Sequence, residues 1–146
     1  MKAKSIAYWT TTVLVAFALG SGGVAQLARV SATVDGFVRI LGYPPYFVPI
    51  LGFWKVCGAI AILVPRFPRL KEWAYAGIIF DLTGAAASCA SVGGYGAYGF
   101  HVLAPLILAV LAVASWALRP ESRTVGVLFP ARDRRAGMNK RAANLG

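Results

Sequence analysis

Four apolar runs, each about long enough to cross a bilayer, dominate this chain of 146 residues. A hydrocarbon core about 30 Å thick needs ~20 mostly apolar residues in an α-helix, which rises about 1.5 Å per residue. The runs cover residues 6–28, 46–64, 73–92 and 100–118. Hydrophobic residues make up 58% of the chain and charged residues 14%, a composition typical of membrane proteins. The pattern predicts an all-α membrane protein folded as a bundle of four transmembrane helices.

The basic residues predict how this bundle is oriented. Twelve of the fifteen lie on one side, before the first run, in the 65–71 loop and between Arg119 and Arg141. The other side has Arg29 and Arg39. By the positive-inside rule, we expect a bacterial inner-membrane protein whose two termini are cytoplasmic. The net charge of +10 therefore indicates membrane orientation and lipid contact, and it does not favour a nucleic-acid partner.

The first outer loop has a helical pattern of its own. Asp35 and Arg39 can pair across one helical turn, and Gly42 is a natural end point. Four apolar residues in the loop share one helical face: Val34, Phe37, Val38 and Leu41. We expect a short amphipathic helix that lies on the outer interface.

The chain divides into a membrane domain, residues 1–120, and a basic tail, residues 121–146, which we expect to be flexible and cytoplasmic. One alternative concerns the first run, because two lysines, an apolar stretch and the small residues 23–25 imitate a secretory signal peptide. Cleavage would leave three helices. The run is longer than the usual apolar region of a signal peptide, ~7–15 residues, so the sequence favours retention.

Two charged residues lie inside the second and third runs. Pro65 and Pro68 end one helix and precede the next, so the two runs form a hairpin. Lys55 and Asp81 are each 13 residues from Pro68 and should therefore lie at equal depth near the middle of the membrane. Either charge alone would cost ~2.5–3.5 kcal/mol or more, so we predict that they pair.

Small residues near this pair should let the two helices approach closely, and two aromatic residues could wall a pocket for a flat ligand. The candidate lining residues are Gly52, Trp54, Tyr75, Gly77, Gly84 and Ser88. Two interpretations of the pair stay open. It could fix helix register as a structural ion pair, or it could form a proton-carrying or polar-ligand site.

The sequence shows no pattern for a metal site or a disulfide. Cys57 and Cys89 lack CxxC spacing, and the hairpin separates them by about 15 Å along the helix axis. A disulfide needs Cα atoms within about 7 Å. His101 is the only histidine, and Glu72 is expected in a solvated charge cluster with the basic residues of the 65–71 loop.

The sequence resembles the DoxX-like family of small bacterial membrane proteins. Five stretches carry the resemblance: Leu41–Phe47, Leu51–Lys55, Val64–Gly77, Phe80–Ala85 and Ser115–Pro120. The resemblance implies a four-helix bundle with an uncleaved first helix. It also implies a link to quinone-linked oxidation and membrane oxidoreductase complexes, with which named members of the wider family are associated. It supplies no catalytic residues, so the catalytic set is unknown.

From these features we expect a subunit or accessory protein of a redox-linked inner-membrane system, not catalytic by itself. Quinone is the candidate ligand, and partner proteins would supply any redox cofactor, since the chain has no ligand set for haem or iron–sulfur clusters. Two alternatives stay open, a non-catalytic structural or assembly protein and a carrier of a small solute. Four helices enclose little volume, so a carrier would need a homo-oligomer.

The predicted topology can be tested with reporter fusions. A cytoplasm-active reporter should give signal after Arg119 and within 65–71, and a periplasm-active reporter should give signal near Asp35, because of the asymmetry in basic residues. A periplasmic reporter that is active after Arg119 would contradict the orientation.

Overall fold

The computed structural model describes residues 2–65, 67–93 and 99–120, and these ranges fold into helices without any β-strand. The elements are α1 (Lys2–Leu27), α2 (Ser31–Asp35), a π-helical segment (Gly36–Ile40), α3 (Phe47–Leu63), α4 (Pro68–Ser91) and α5 (Gly99–Ala117). Each predicted apolar run coincides with one of the four long helices. The all-α fold class is therefore confirmed, while the predicted tail, residues 121–146, lies outside the described residues.

The long helices differ in how well they suit a membrane. Two are long and apolar enough to cross one by length and composition, Ala3–Leu27 and Gly99–Ala117. Helix α3 is strongly apolar but has 17 residues, and α4 has 24 residues but carries several charged ones. Large apolar side chains cover the outside of the bundle, with Phe17, Phe80 and Phe100 each about three-quarters exposed. Such a surface is compatible with lipid and unusual for a soluble monomer.

The first outer loop is helical, as the spacing predicts, but it is not one regular α-helix. After α2, the backbone widens into the π-helical segment, in which the Leu41 N–H donates to the Gly36 oxygen over 3.1 Å. Asp35 and Arg39 form the expected ion pair, 3.1 Å apart and exposed. Gly42 ends the segment with a φ of 74°, a conformation that glycine adopts readily. The apolar residues of the loop are half-buried while the charged pair faces outward.

The four long helices are neighbours in the cyclic order α1, α3, α4, α5. Helices α1 and α3 run antiparallel, since Gly20 adjoins Ala59 and Gly23 adjoins Gly52. The buried core draws on all four helices, and it is formed by Val15, Ala16, Leu19, Ala59, Ile62, Tyr75, Ile78, Leu82, Ala109 and Ala112. Because α1 supplies three of these residues, loss of α1 would open the core. The two cysteines are free, as the hairpin register predicts.

The closest helix contact lies between α1 and α3, not between α3 and α4 as the small residues suggested. A Cβ atom added to Gly52 would lie 2.7 Å from the backbone oxygen of Gly23, and one added to Gly23 would lie 2.8 Å from the Gly52 oxygen. By contrast, a Cβ atom on Gly77 or Gly84 would meet no described atom within 4 Å. The side chains of Lys55 and Asp81 meet between α3 and α4 in this region.

This difference among the glycines predicts opposite effects of alanine. Gly52→Ala should lower the free energy of unfolding by about 1–3 kcal/mol, because the added methyl group meets rigid backbone atoms. Gly77→Ala is the matched control, and it should be neutral or stabilising by about 0.5–1 kcal/mol, because alanine has the higher helix propensity. Unfolding in mixed detergent micelles measures both, and equal stability of the two variants would refute the close contact.

Candidate functional site

Lys55 of α3 and Asp81 of α4 meet at the centre of the hairpin. Lys55 Nζ lies 3.6 Å from Asp81 Oδ2, and the two side chains are 15% and 16% exposed. This distance permits strong Coulomb attraction but is longer than a normal hydrogen bond. Within the part of the chain that the structure describes, Asp81 Oδ2 is buried and accepts no hydrogen bond. The pair is therefore neutral as a unit but not saturated with hydrogen bonds.

Two cavities lie along the α3–α4 seam, and Asp81 borders both. The first, which we name the loop-side cavity, has a volume of about 570 Å³ and lies between the π-helical segment, the start of α3 and the second half of α4. The second, which we name the hairpin-side cavity, has a volume of about 490 Å³ and lies toward the α3–α4 turn. Lys55 borders the hairpin-side cavity together with Asp81. Both volumes fall within the range of small-molecule sites, about 300–1,000 Å³.

The structure distributes the predicted lining residues over four places. Trp54 and Gly77 border the hairpin-side cavity, and Gly84 and Ser88 border the loop-side cavity. Gly52 lies elsewhere, packed against α1. Tyr75 lies in the core, 1% exposed, so it walls neither of the two cavities found in the described part of the chain. It is six residues before Asp81, and a helix turns about 100° per residue, so its side chain points away from the Asp81 face.

Sequence reasoning did not find the hydrogen-bonded chain of hydroxyl groups that contains Tyr75. The Thr12 hydroxyl donates to the backbone oxygen of Tyr8 over 2.6 Å. A hydroxyl has one hydrogen, so Ser115 must be the donor in its 2.6 Å bond to Thr12, and Tyr75 the donor in its 2.7 Å bond to Ser115. The chain ties α1, α5 and α4 together in the buried core. Two polar residues within apolar runs, Thr12 and Ser115, were the available signal.

The sequence predicted that Lys71 belongs to a solvated charge cluster, but the structure buries this residue. Its side chain is fully buried and its ammonium group donates to the backbone oxygens of Ala61, 3.3 Å away, and Ile62. These carbonyls belong to the last turn of α3, where the helix dipole is negative and a cation stabilises it. Lys71 therefore caps α3 from the first turn of α4.

Glu72 binds α5 rather than the basic loop. Its carboxylate accepts hydrogen bonds from Arg119, over 2.6 Å, and from the indole N–H of Trp116, over 2.7 Å. The Arg119 guanidinium also lies 5.2 Å from the centre of the Tyr75 ring, a cation–π contact. Of the two arginines expected in the cluster, Arg69 is exposed and Arg66 lies outside the described residues.

The family model described as the DoxX-like family matches residues 10–115, which is most of the chain. The chain belongs to the DoxX-like family. No curated protein and no solved structure is significantly similar to it. Membership of the DoxX-like family, together with the apolar helices, identifies a membrane protein. The roles of its polar residues must therefore be inferred from the geometry of this DoxX-like chain itself.

Among the described residues of this DoxX-like protein, no group of His, Cys, Asp and Glu is arranged to hold a metal ion. The charged pair of the α3–α4 seam is one ammonium group and one carboxylate beside mostly apolar cavities. These groups can donate and accept hydrogen bonds or exchange a proton. The functional role of Lys55 and Asp81 remains a prediction.

The coupling of Lys55 and Asp81 can be measured with a double-mutant cycle. Lys55→Met or Asp81→Leu alone should lower the free energy of unfolding by about 3–5 kcal/mol, because each leaves one buried charge without its partner. The double variant should recover most of the loss, since no charge is then left between the helices. Unfolding in detergent measures the cycle, and additive losses would contradict the coupling.

Proposed function

We propose that this DoxX-like protein crosses the bacterial inner membrane four times, with both termini in the cytoplasm. Helix α3 spans about 26 Å and α4 about 36 Å at 1.5 Å per residue, close to the hydrocarbon thickness of about 30 Å. The charges of α4 are compatible with a membrane, since Asp81 pairs with Lys55 and Glu72 pairs with Arg119.

The basic residues support the proposed orientation because they gather at one end of the bundle. Arg119 contacts Glu72 at the start of α4, and Lys71 caps the end of α3. Tyr8, near the start of α1, lies at the same end through its bond to Thr12 and the hydroxyl chain. The start of α1, the α3–α4 turn and the end of α5 therefore share one side, to which the positive-inside rule assigns the cytoplasm.

We further propose that the protein is an accessory subunit of a redox-linked membrane system and that it holds a quinone in the hairpin-side cavity. The observation that carries this proposal is the position of Lys55, which borders an otherwise mostly apolar cavity. A quinone is a flat apolar ring whose carbonyl oxygens accept hydrogen bonds, and an ammonium group is a strong donor. Trp54 and Trp73 border the same cavity and offer flat surfaces to such a ring.

A quinone-binding accessory subunit would leave electron transfer to its partner proteins. The chain's own contribution would be to hold the ring between α3 and α4 and to orient one carbonyl oxygen toward Lys55. Asp81 would keep the site electrically neutral, because its carboxylate balances the ammonium group. A purely structural pair would need no adjoining cavity of this size, and the following experiment separates the two roles.

The quinone proposal is tested by filling the hairpin-side cavity. Gly77→Leu should fold, since a Cβ atom there meets open space, and it should strongly weaken binding of an alkylated 1,4-benzoquinone by occupying the site. Quenching of tryptophan fluorescence measures binding, because Trp54 and Trp73 border the cavity.

Gly84→Leu is the matched control for this measurement. It adds the same side chain to the same helix but within the loop-side cavity, so quinone affinity should be preserved. Wild-type quinone affinity in Gly77→Leu, or the absence of saturable binding to the wild-type protein, would refute the proposal and favour a structural pair.

A further inference from the structure

The loop-side cavity has aromatic walls and is separate from the cavity to which Lys55 contributes. Phe37, Tyr43, Phe47 and Phe80 border it, and the rings of Tyr43 and Phe47 stack with their centres 4.9 Å apart. The Tyr43 hydroxyl is hydrogen-bonded to Ser88 over 2.8 Å, which ties the first loop to α4. Flat aromatic walls favour a ligand that contains a ring.

The polar chemistry of the loop-side cavity differs from that of the hairpin-side cavity. Of the charged pair, Asp81 borders the loop-side cavity and Lys55 does not, within the described residues. An ionised carboxylate only accepts hydrogen bonds, and Asp81 borders this cavity. The group that the ligand presents to Asp81 must therefore be a hydrogen-bond donor, and a carbonyl or ether oxygen would be repelled.

The charge of the pair selects among donors. Lys55 already balances Asp81, 3.6 Å away. A cationic amine would add an uncompensated positive charge to this largely apolar region, which is costly. A neutral hydroxyl group would supply the donor and leave the region neutral.

We propose that the loop-side cavity is a second binding site, specific for neutral aromatic alcohols of the phenol class, whose hydroxyl group donates to Asp81. The ring lies among the aromatic side chains of the first loop, α3 and α4. This site goes beyond the proposed quinone site, because its polar contact is an acceptor and that of the hairpin-side cavity is a donor. The two sites share Asp81 and can be disabled separately.

The test compares 4-propylphenol with 4-propylanisole, in which a methoxy group replaces the hydroxyl. Binding to the full chain in lipid nanodiscs is measured by equilibrium dialysis, with the uptake by empty nanodiscs subtracted. The anisole should bind at least about tenfold more weakly than the phenol, the factor expected for loss of one hydrogen bond to a charged group. Equal affinity for the two compounds would overturn the proposal.

Cavity-filling variants locate the bound phenol. Gly84→Leu, with open space at its Cβ position, should weaken phenol binding by at least about the same factor of ten. Gly77→Leu should leave phenol binding unchanged. Ala85→Phe, which fills the same loop-side cavity, repeats the test if Gly84→Leu does not fold.

Each outcome of the variant series tests the proposal for one of the two sites. Wild-type phenol affinity in a folded loop-side variant, or loss of phenol binding in Gly77→Leu, would overturn the proposed phenol site. Neither result tests the quinone proposal. That proposal is refuted instead if Gly77→Leu binds quinone with wild-type affinity. The two proposals therefore fail by different measurements on the same proteins.

Discussion

A charge that lies alone between apolar helices in a membrane costs ~2.5–3.5 kcal/mol or more. Lys55 and Asp81 remove this cost by pairing with each other, and the compatibility of the rest of the bundle with a bilayer depends on that pair. Their pairing determines which residues of α3 and α4 face each other. Two cavities lie along the α3–α4 seam beside the pair, while the closest approach of helix backbones at the described glycines lies between α1 and α3.

The same constraint applies to α4, which carries more charged side chains than any other long helix and is the least obviously membrane-like of them. Every one of these side chains that points inward has a partner on another element: Glu72 with Arg119, Tyr75 with Ser115, Asp81 with Lys55 and Ser88 with Tyr43. In the absence of water, buried polar groups are stable when protein groups satisfy them. Helix α4 can therefore be polar in composition while it presents an apolar surface, including Phe80, to its surroundings.

Sequence reasoning succeeded where one physical rule applied to one segment. Apolar length located the four long helices, apolar spacing found the helical first loop, and equal distance from Pro68 placed Lys55 opposite Asp81. It did not succeed where the outcome depended on which helices are neighbours. Gly52 contacts α1, Tyr75 belongs to a hydroxyl chain, and Lys71 is buried as a cap of α3. The contacts of Gly52 and Tyr75 join elements far apart in the chain, and those of Lys71 depend on how α4 folds back on α3. The spacing of residues within one helix carries no information about either.

The glycines of α4 connect the packing to the proposed binding sites. Gly77 precedes Asp81 by four residues and Gly84 follows it by three, so both lie on the Asp81 face of the helix. A glycine within a helix costs roughly 0.5–1 kcal/mol relative to alanine, and a close helix contact is the usual compensation. Neither glycine has such a contact among the described residues, and each borders one cavity. What the two glycines provide is open volume on either side of one carboxylate, which is the space that each of the two proposed ligands requires.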